Sequence, residues 1–234
     1  MTEALQKFSD DLEDWSANGA WKSALKAKEV WLRVQESTGF VPGYHHLIPE
    51  KINCLEKLGL LKKGTRMCDL GFGLGAIIFM WWKVGYEADG FEINPILGHI
   101  AQKKLNSLVA EKRLPRKALT AKLWQGSYIP PEYCFHWRDQ KAPKFSEGIQ
   151  HNFVIPGYLP LSSWSAYDIF YAYLWPSQVA TVFELFSLYA RDDAILTGQM
   201  CGNWRRKDLT EAFGLKTRIV QASEYHYLHI IQKR

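Results

Sequence analysis

The run RMCDLGFGLG from Arg66 to Gly75 constrains this chain more than any other stretch. A short apolar segment reaches an acid at Asp69 and opens at once into three alternating glycines, ahead of the strongly apolar segment AIIFMWW that begins at Ala76. Glycine tolerates positive φ and carries no Cβ, so Gly71, Gly73 and Gly75 let the backbone turn sharply and approach a ligand closely. A strand, a glycine loop and a helix in that order read as a nucleotide-cofactor loop, with backbone amides facing the ligand.

A second feature, about twenty residues further on, makes the reading specific. Residues 86–95, YEADGFEINP, read as a strand that ends in the acid Glu92, placed to accept both hydroxyls of a ribose. The pattern departs from the dinucleotide fingerprint G-x-G-x-x-G, because Ala76 stands where the last glycine of that fingerprint falls. The spacing D-x-G-x-G-x-G with Asp69 at the strand end resembles motif I of the class I S-adenosylmethionine-dependent methyltransferases, and Gly90 to Pro95 resembles their acidic second motif.

The remaining elements are read from periodicity. Residues 1–38 carry apolar positions at three- and four-residue spacing (Leu5, Phe8, Leu12 and Trp15, then Trp21, Leu25, Trp31 and Val34) and predict two helices parted at Asn18-Gly19. A turn-rich connector follows, then a helix from Pro49 to Leu60 that stops at Lys62-Lys63-Gly64. From there strand and helix alternate: strand 66–70, helix 75–84, strand 87–92, helix 95–112, strand 118–124, strand 167–173, a helix from near Pro176, and strand 194–198. Two last strands, 215–221 and 225–231, are spaced as a hairpin. Such alternation predicts a parallel sheet covered by helices on both faces, with the ligand at the carboxyl ends of the strands. Residues 126–166 interrupt the pattern with proline, glycine and aromatics and read as an ordered insertion on the substrate side.

Composition sets outer limits. The chain of 234 residues, 47% hydrophobic and 14% aromatic, buries a sizeable core and is not disordered. Four cysteines, Cys54, Cys68, Cys134 and Cys201, include no C-x-x-C pair and read as free thiols, with no zinc site. The N-terminal residues do not form a signal peptide and no apolar run reaches membrane-spanning length, so a cytoplasmic protein with no membrane partner is expected. A monomer is favoured, although the sequence does not fix the oligomeric state. The lysines and arginines at 103, 104, 112, 113, 116, 117 and 122 read as a solvated helix face, with a surface for nucleic acid or an acidic protein as the alternative. His45-His46 is poorly spaced for a metal, and Arg205-Arg206-Lys207 reads as a solvated turn.

The resemblance to class I methyltransferases runs from about Val41 to the C-terminus. It implies a three-layer α/β/α Rossmann-like fold: a mostly parallel seven-stranded sheet with a C-terminal antiparallel hairpin, preceded by N-terminal helices. The division expected is a helical extension over 1–40 and a methyltransferase domain over 41–234, with the insertion at about 126–166. The cofactor implied is S-adenosyl-L-methionine. Asp69 would lie near its amino group, Gly71, Phe72, Gly73 and Gly75 would line its path, and Glu92 would hold the ribose. Ser127 occupies the place after the third strand where the family often has an acid against the adenine, with Tyr128 beside it to pack on the purine, and Tyr44 would cover the cofactor.

The segment YAYLWP from Tyr171 to Pro176 would face the methyl group. It lacks the Asn or Asp followed by Pro-Pro and an aromatic that is found in members acting on DNA bases or glutamine. It more nearly resembles the aromatic segment of non-SET protein lysine methyltransferases. Tyr173, Tyr171 and Trp175 are therefore the candidate catalytic wall, and a protein lysine is the leading acceptor, ahead of a small molecule or RNA. Two other classes compete: an NAD(P)-dependent oxidoreductase, and a non-catalytic module that binds S-adenosylmethionine.

Overall fold

The computed structural model describes residues 3–15, 48–129, 160–174, 178–200, 207–223 and 226–234. Seven strands form one sheet: β1 (Arg66–Leu70), β2 (Glu87–Glu92), β3 (Leu123–Gln125), β4 (Ile169–Leu174), β5 (Ile195–Met200), β6 (Leu215–Ser223) and β7 (His226–Lys233). Their spatial order is β3-β2-β1-β4-β5-β7-β6. The first five are mutually parallel, whereas β7 runs antiparallel to β5 on one side and to β6 on the other. The order reverses between β1 and β4, which is where an open parallel sheet leaves a crevice at its carboxyl edge. The three-layer Rossmann-like architecture expected from the sequence is the one observed.

Alternation along the strands sends side chains to two separate cores. One face carries Met67, Ile169, Tyr171 and Ile195. It is covered by α1 (Glu3–Asp14), α2 (Ile48–Lys57) and α3 (Ala76–Lys83) through Phe8, Leu12, Ile52, Leu55, Ile78 and Phe79. The opposite face carries Cys68, Leu70, Phe170, Ala172 and Leu196, packed on α5 (Val179–Tyr189) through Val182, Phe183 and Phe186. Helix α3 is apolar on every side because all of Ala76 to Trp82 is buried. Helix α4 (Pro95–Ala110) starts sharply: the Asn94 side chain accepts hydrogen bonds from the amides of Ile96 and Leu97, and Pro95 fills the first turn, where an amide proton has no helical partner. A short helix α6 (Lys207–Ala212) leads into β6.

Three expectations are corrected in detail. The strand placed over 118–124 is a 3-10 turn over Arg116–Thr120 followed by a strand of only three residues, Leu123–Gln125. Ala118 is buried at the turn, so the apolar signal there came from packing without strand pairing. The helix expected near Pro176 begins at Val179. The helix reaching Leu60 ends at Lys57, where Leu60 N bonds back to Leu55 O at 3.0 Å to close the turn. The helices expected over 16–38, residues 130–159 of the insertion, Cys134, Cys201 and His45-His46 lie outside the described residues. Among the described residues, no helix is long and apolar enough to cross a membrane, and no group of His, Cys, Asp or Glu is arranged to hold a metal ion.

Lys103, Lys112, Arg116, Lys117 and Lys122 of the basic run are exposed, and residues of the run also make contacts. Arg113 pairs with Asp11 of α1 at 2.6 Å, Lys117 pairs with Glu87, and Lys104 lies over the Trp15 ring at 5.0 Å. These cations brace the N-terminal helix and the start of β2.

Candidate functional site

Backbone hydrogen bonds stitch the glycine loop to the end of β2. Gly71 N and Phe72 N both donate to Phe91 O, at 2.8 and 3.1 Å, and Gly75 N donates to Phe72 O at 2.8 Å. Two glycines are needed for different reasons. Gly71 has φ +94 and open space where a Cβ would stand, so the left-handed turn requires it and leaves room above the strand. Gly75, at φ +83, caps α3, and a Cβ there would meet the Phe79 ring at 2.8 Å. Gly73 also has positive φ, +55. Phe72 contributes differently from the glycines: its ring is buried near Gly90 and Gly98, and its backbone N–H and C=O are both used within the loop.

Glu92 anchors the loop from β2. One carboxylate oxygen accepts from Gly73 N and the other from Asn94 N, each at 2.8 Å. Burial raises its pKa, and the backbone N–H groups of Asn94, Gly73 and Ile93 oppose that rise. A carboxylate has about four lone-pair sites, so two remain for a diol. Gly126 N donates to Glu92 O at 2.9 Å, which brings the residues after β3 alongside. There Ser127 Oγ accepts from Ile129 N at 3.0 Å, a local turn that leaves its hydroxyl proton to donate elsewhere. Half-buried Tyr128 lies near enough to Glu92 that desolvation and that carboxylate together push its phenol up.

Asp69 stands next in the row. It pairs in register with Gly90 on β2 and Tyr171 on β4, so its side chain shares a face with Tyr171. It is 2% exposed, and its Oδ2 atom has no hydrogen-bond partner among the described residues. Burial, then the Glu92 charge, hold its carboxyl well above the usual range. Tyr171 is likewise buried, its hydroxyl has no partner among the described residues, and its pKa is driven well up by burial, then by Asp69 and Tyr173. Tyr173, two residues along the same face, is half-buried. Tyr44 and Trp175 lie outside the described residues.

One residue at this edge escaped the sequence reading. Lys51 of α2 is 6% exposed, its Nζ donates to Gly198 O of β5 at 3.4 Å, and it sits 5.9 Å from the centre of the Tyr171 ring. Burial lowers its pKa to about 8. A signal was present, since Lys51 falls in the stripe Ile48, Lys51, Ile52, Leu55, at the three- and four-residue spacing of an inward face.

Asp69, Gly71, Gly73, Gly75 and Glu92 thus gather where the strand order reverses, with Tyr171 and Tyr173 beside them and Ser127 at the β3 end. The donor set fits a nucleoside carrying a cationic amine: a bare loop, a carboxylate with spare lone pairs, and a buried acid whose Oδ2 has no donor among the described residues.

No family model and no curated protein matches the chain. Solved structures do. An RNA methyltransferase from Salinibacter ruber in complex with S-adenosyl-L-homocysteine matches 82% of this chain and 94% of its own, at 15% identity and a TM-score of 0.52. A ribosomal protein L11 methylase from Lactobacillus delbrueckii subsp. bulgaricus matches 84% of this chain and 83% of its own, at 10% identity and a TM-score of 0.50. A protein from Pyrococcus horikoshii matches 89% of this chain and all of its own, at 12% identity and a TM-score of 0.50. At such identities the likeness establishes architecture: the chain has the Rossmann-like methyltransferase fold.

Proposed function

We propose that the chain is an S-adenosylmethionine-dependent methyltransferase acting on a nucleophilic acceptor, a protein lysine. The observation that carries this reading is the joint placement of Glu92 and Asp69 on adjacent strands around the glycine loop. Bound there, S-adenosylmethionine supplies a methyl group on a sulfonium, ready for in-line displacement. The protein's part is to place and to dry. Glu92 receives the ribose hydroxyls while it keeps Gly73 N and Asn94 N fixed. Asp69 receives the amino group, which supplies the donor its Oδ2 lacks and favours its charged form. Gly71 leaves space for the ligand to lie against backbone, Gly75 holds the start of α3, and Ser127 has a hydroxyl proton to offer the base.

On the acceptor side an amine must lose a proton before it attacks. Tyr173, with Tyr171 behind it, forms an aromatic wall that desolvates an incoming ammonium and lowers its pKa, and holding the amine close and aligned accounts for much of the acceleration. This pair of tyrosines is what favours lysine over other acceptors; of the three structural neighbours named above, one is an RNA methyltransferase and another a ribosomal protein L11 methylase.

Calorimetric titration of the protein with S-adenosylhomocysteine and, separately, NADH tests the cofactor. Binding of the first alone is expected, and binding of NADH alone would replace the reading with a hydride-transfer one. Radiolabelled S-adenosylmethionine, added with the protein to lysate from cells that lack it, should leave label on lysine. Label confined to RNA or to small molecules would overturn the acceptor, and no transfer to any fraction would favour a binding module.

A further inference from the structure

Lys51 is a cation in an apolar place. Its neighbours on the inward stripe of α2 are Ile48, Ile52 and Leu55, and Ile169 and Ile195 of the sheet belong to the same core. Among the described residues no carboxylate lies within ion-pair distance, and the one hydrogen bond, to Gly198 O, is long at 3.4 Å. A buried ammonium without an anion is costly, and a methionine would fill the space at lower cost. Something beyond packing retains the charge.

The surroundings indicate what. Across the sheet from β2 to β5 the polar groups fall in a row: Glu92 on β2, Asp69 on β1, Tyr171 on β4, and Lys51 Nζ between the Tyr171 ring and the Gly198 carbonyl of β5. Among the described residues, three of these are incomplete in complementary ways: Asp69 Oδ2 has no donor, the Tyr171 hydroxyl has no acceptor, and Lys51 has donors to spare. Neighbouring strands lie about 4.8 Å apart, so Asp69 and Tyr171, in register on β1 and β4, stand side by side, with Lys51 on the far side of the Tyr171 ring toward β5.

We propose that Lys51, with the Tyr171 hydroxyl, binds the carboxylate of the amino-acid end of S-adenosylmethionine, opposite the amino group held by Asp69. The inference rests on the function proposed above and assigns that end of the ligand to a particular side chain. An arriving carboxylate gives Lys51 its missing anion, and the lowered pKa of the ammonium returns toward its ordinary value. Charge-assisted hydrogen bonds of this kind are the strong ones.

The test compares two ligands on the full chain by calorimetry: S-adenosylhomocysteine, and 5′-methylthioadenosine, which keeps the nucleoside thioether and lacks the amino acid. Lys51→Met should weaken S-adenosylhomocysteine binding about 10- to 100-fold and leave 5′-methylthioadenosine unchanged, and that unchanged arm also reports that the variant is folded. Tyr171→Phe should give the same selective loss at smaller size. Unaltered binding of S-adenosylhomocysteine to Lys51→Met overturns the assignment while leaving the cofactor reading intact. An equal loss for both ligands also overturns it, by making Lys51 a packing residue. If the unmodified protein binds neither nucleoside, the cofactor reading itself falls and this inference with it.

Discussion

At the end of β2 both oxygens of the Glu92 carboxylate are matched within the protein, whereas Asp69 on β1 and Tyr171 on β4 each carry an atom with no partner among the described residues. Both Glu92 oxygens have backbone donors, and Asn94 Oδ1 caps α4. One and two strands away, Asp69 Oδ2 and the Tyr171 hydroxyl have no partner among the described residues, and Lys51 has one long bond. The matched half has its shape before any ligand arrives. The unmatched half is held in place by the surrounding core at a cost in stability, and a ligand that completes it recovers that cost as binding energy. Groups kept unsatisfied in a folded protein mark where affinity is concentrated.

Mutations should therefore act in opposite directions in the two halves. The largest effect expected is from Gly90→Val on β2, where the first added carbon would stand 2.7 Å from Ile78 Cδ1, 2.9 Å from Phe72 Cδ1 and 3.0 Å from Asp69 O. Overpacking of that kind costs about 3 kcal/mol or more, read as a lower urea midpoint, and a tolerated valine would show that the β2 side is not rigid.

Lys51→Met should act the other way. The Lys51 pKa falls from 10.5 to about 8, and at 1.36 kcal/mol per unit its removal stabilises the protein by roughly 3 kcal/mol at pH 7. Between about pH 8 and 10.5 the unfolded lysine binds more proton than the folded one, so stability rises with pH across that window. Lys51→Met should lose that rise in denaturation curves taken at several pH values. A variant no more stable than the parent would show that the lysine has a partner in the folded chain.

Glu92→Ala should lower stability by about 2 kcal/mol, because two buried amides lose their acceptor, and should weaken S-adenosylhomocysteine binding more than tenfold in calorimetry. Asp69→Asn should give the smallest stability change, and an increase. Its folded pKa lies above the ordinary 3.8, so the folded state holds more proton and stability drops as pH rises through that interval. The asparagine variant should not show the drop in thermal melts, while binding S-adenosylhomocysteine more weakly.

The matched half was also the legible half. Alternating glycines after a strand, and an acid at the end of the next, form a local pattern whose geometry follows from chain chemistry, and the glycines and Glu92 fall together, with Gly73 N bonded to the Glu92 carboxylate. Strands β1, β2, β4 and β5 were legible because parallel strands buried on both faces form short apolar runs between glycines and prolines. β3 was misplaced because Ala118 and Leu123 give the same apolar signal although only the latter pairs in the sheet. Lys51 was missed for a subtler reason: a lysine on an amphipathic helix reads as solvated, and only the fold shows that its position in the stripe brings it against β4 and β5.

The place of β7 bears on how the chain comes together during synthesis. β6 hydrogen-bonds to β7 alone, and β7 in turn reaches the parallel strands through β5, with Leu196 opposite Ile231. The ribosome therefore releases β6 before any partner for it exists, and five earlier strands wait with Leu196 and Thr197 at an unfinished border. That border with β5 therefore stays open until β7 has been made, and it is sealed only through a pairing distant in sequence, the slow kind in folding.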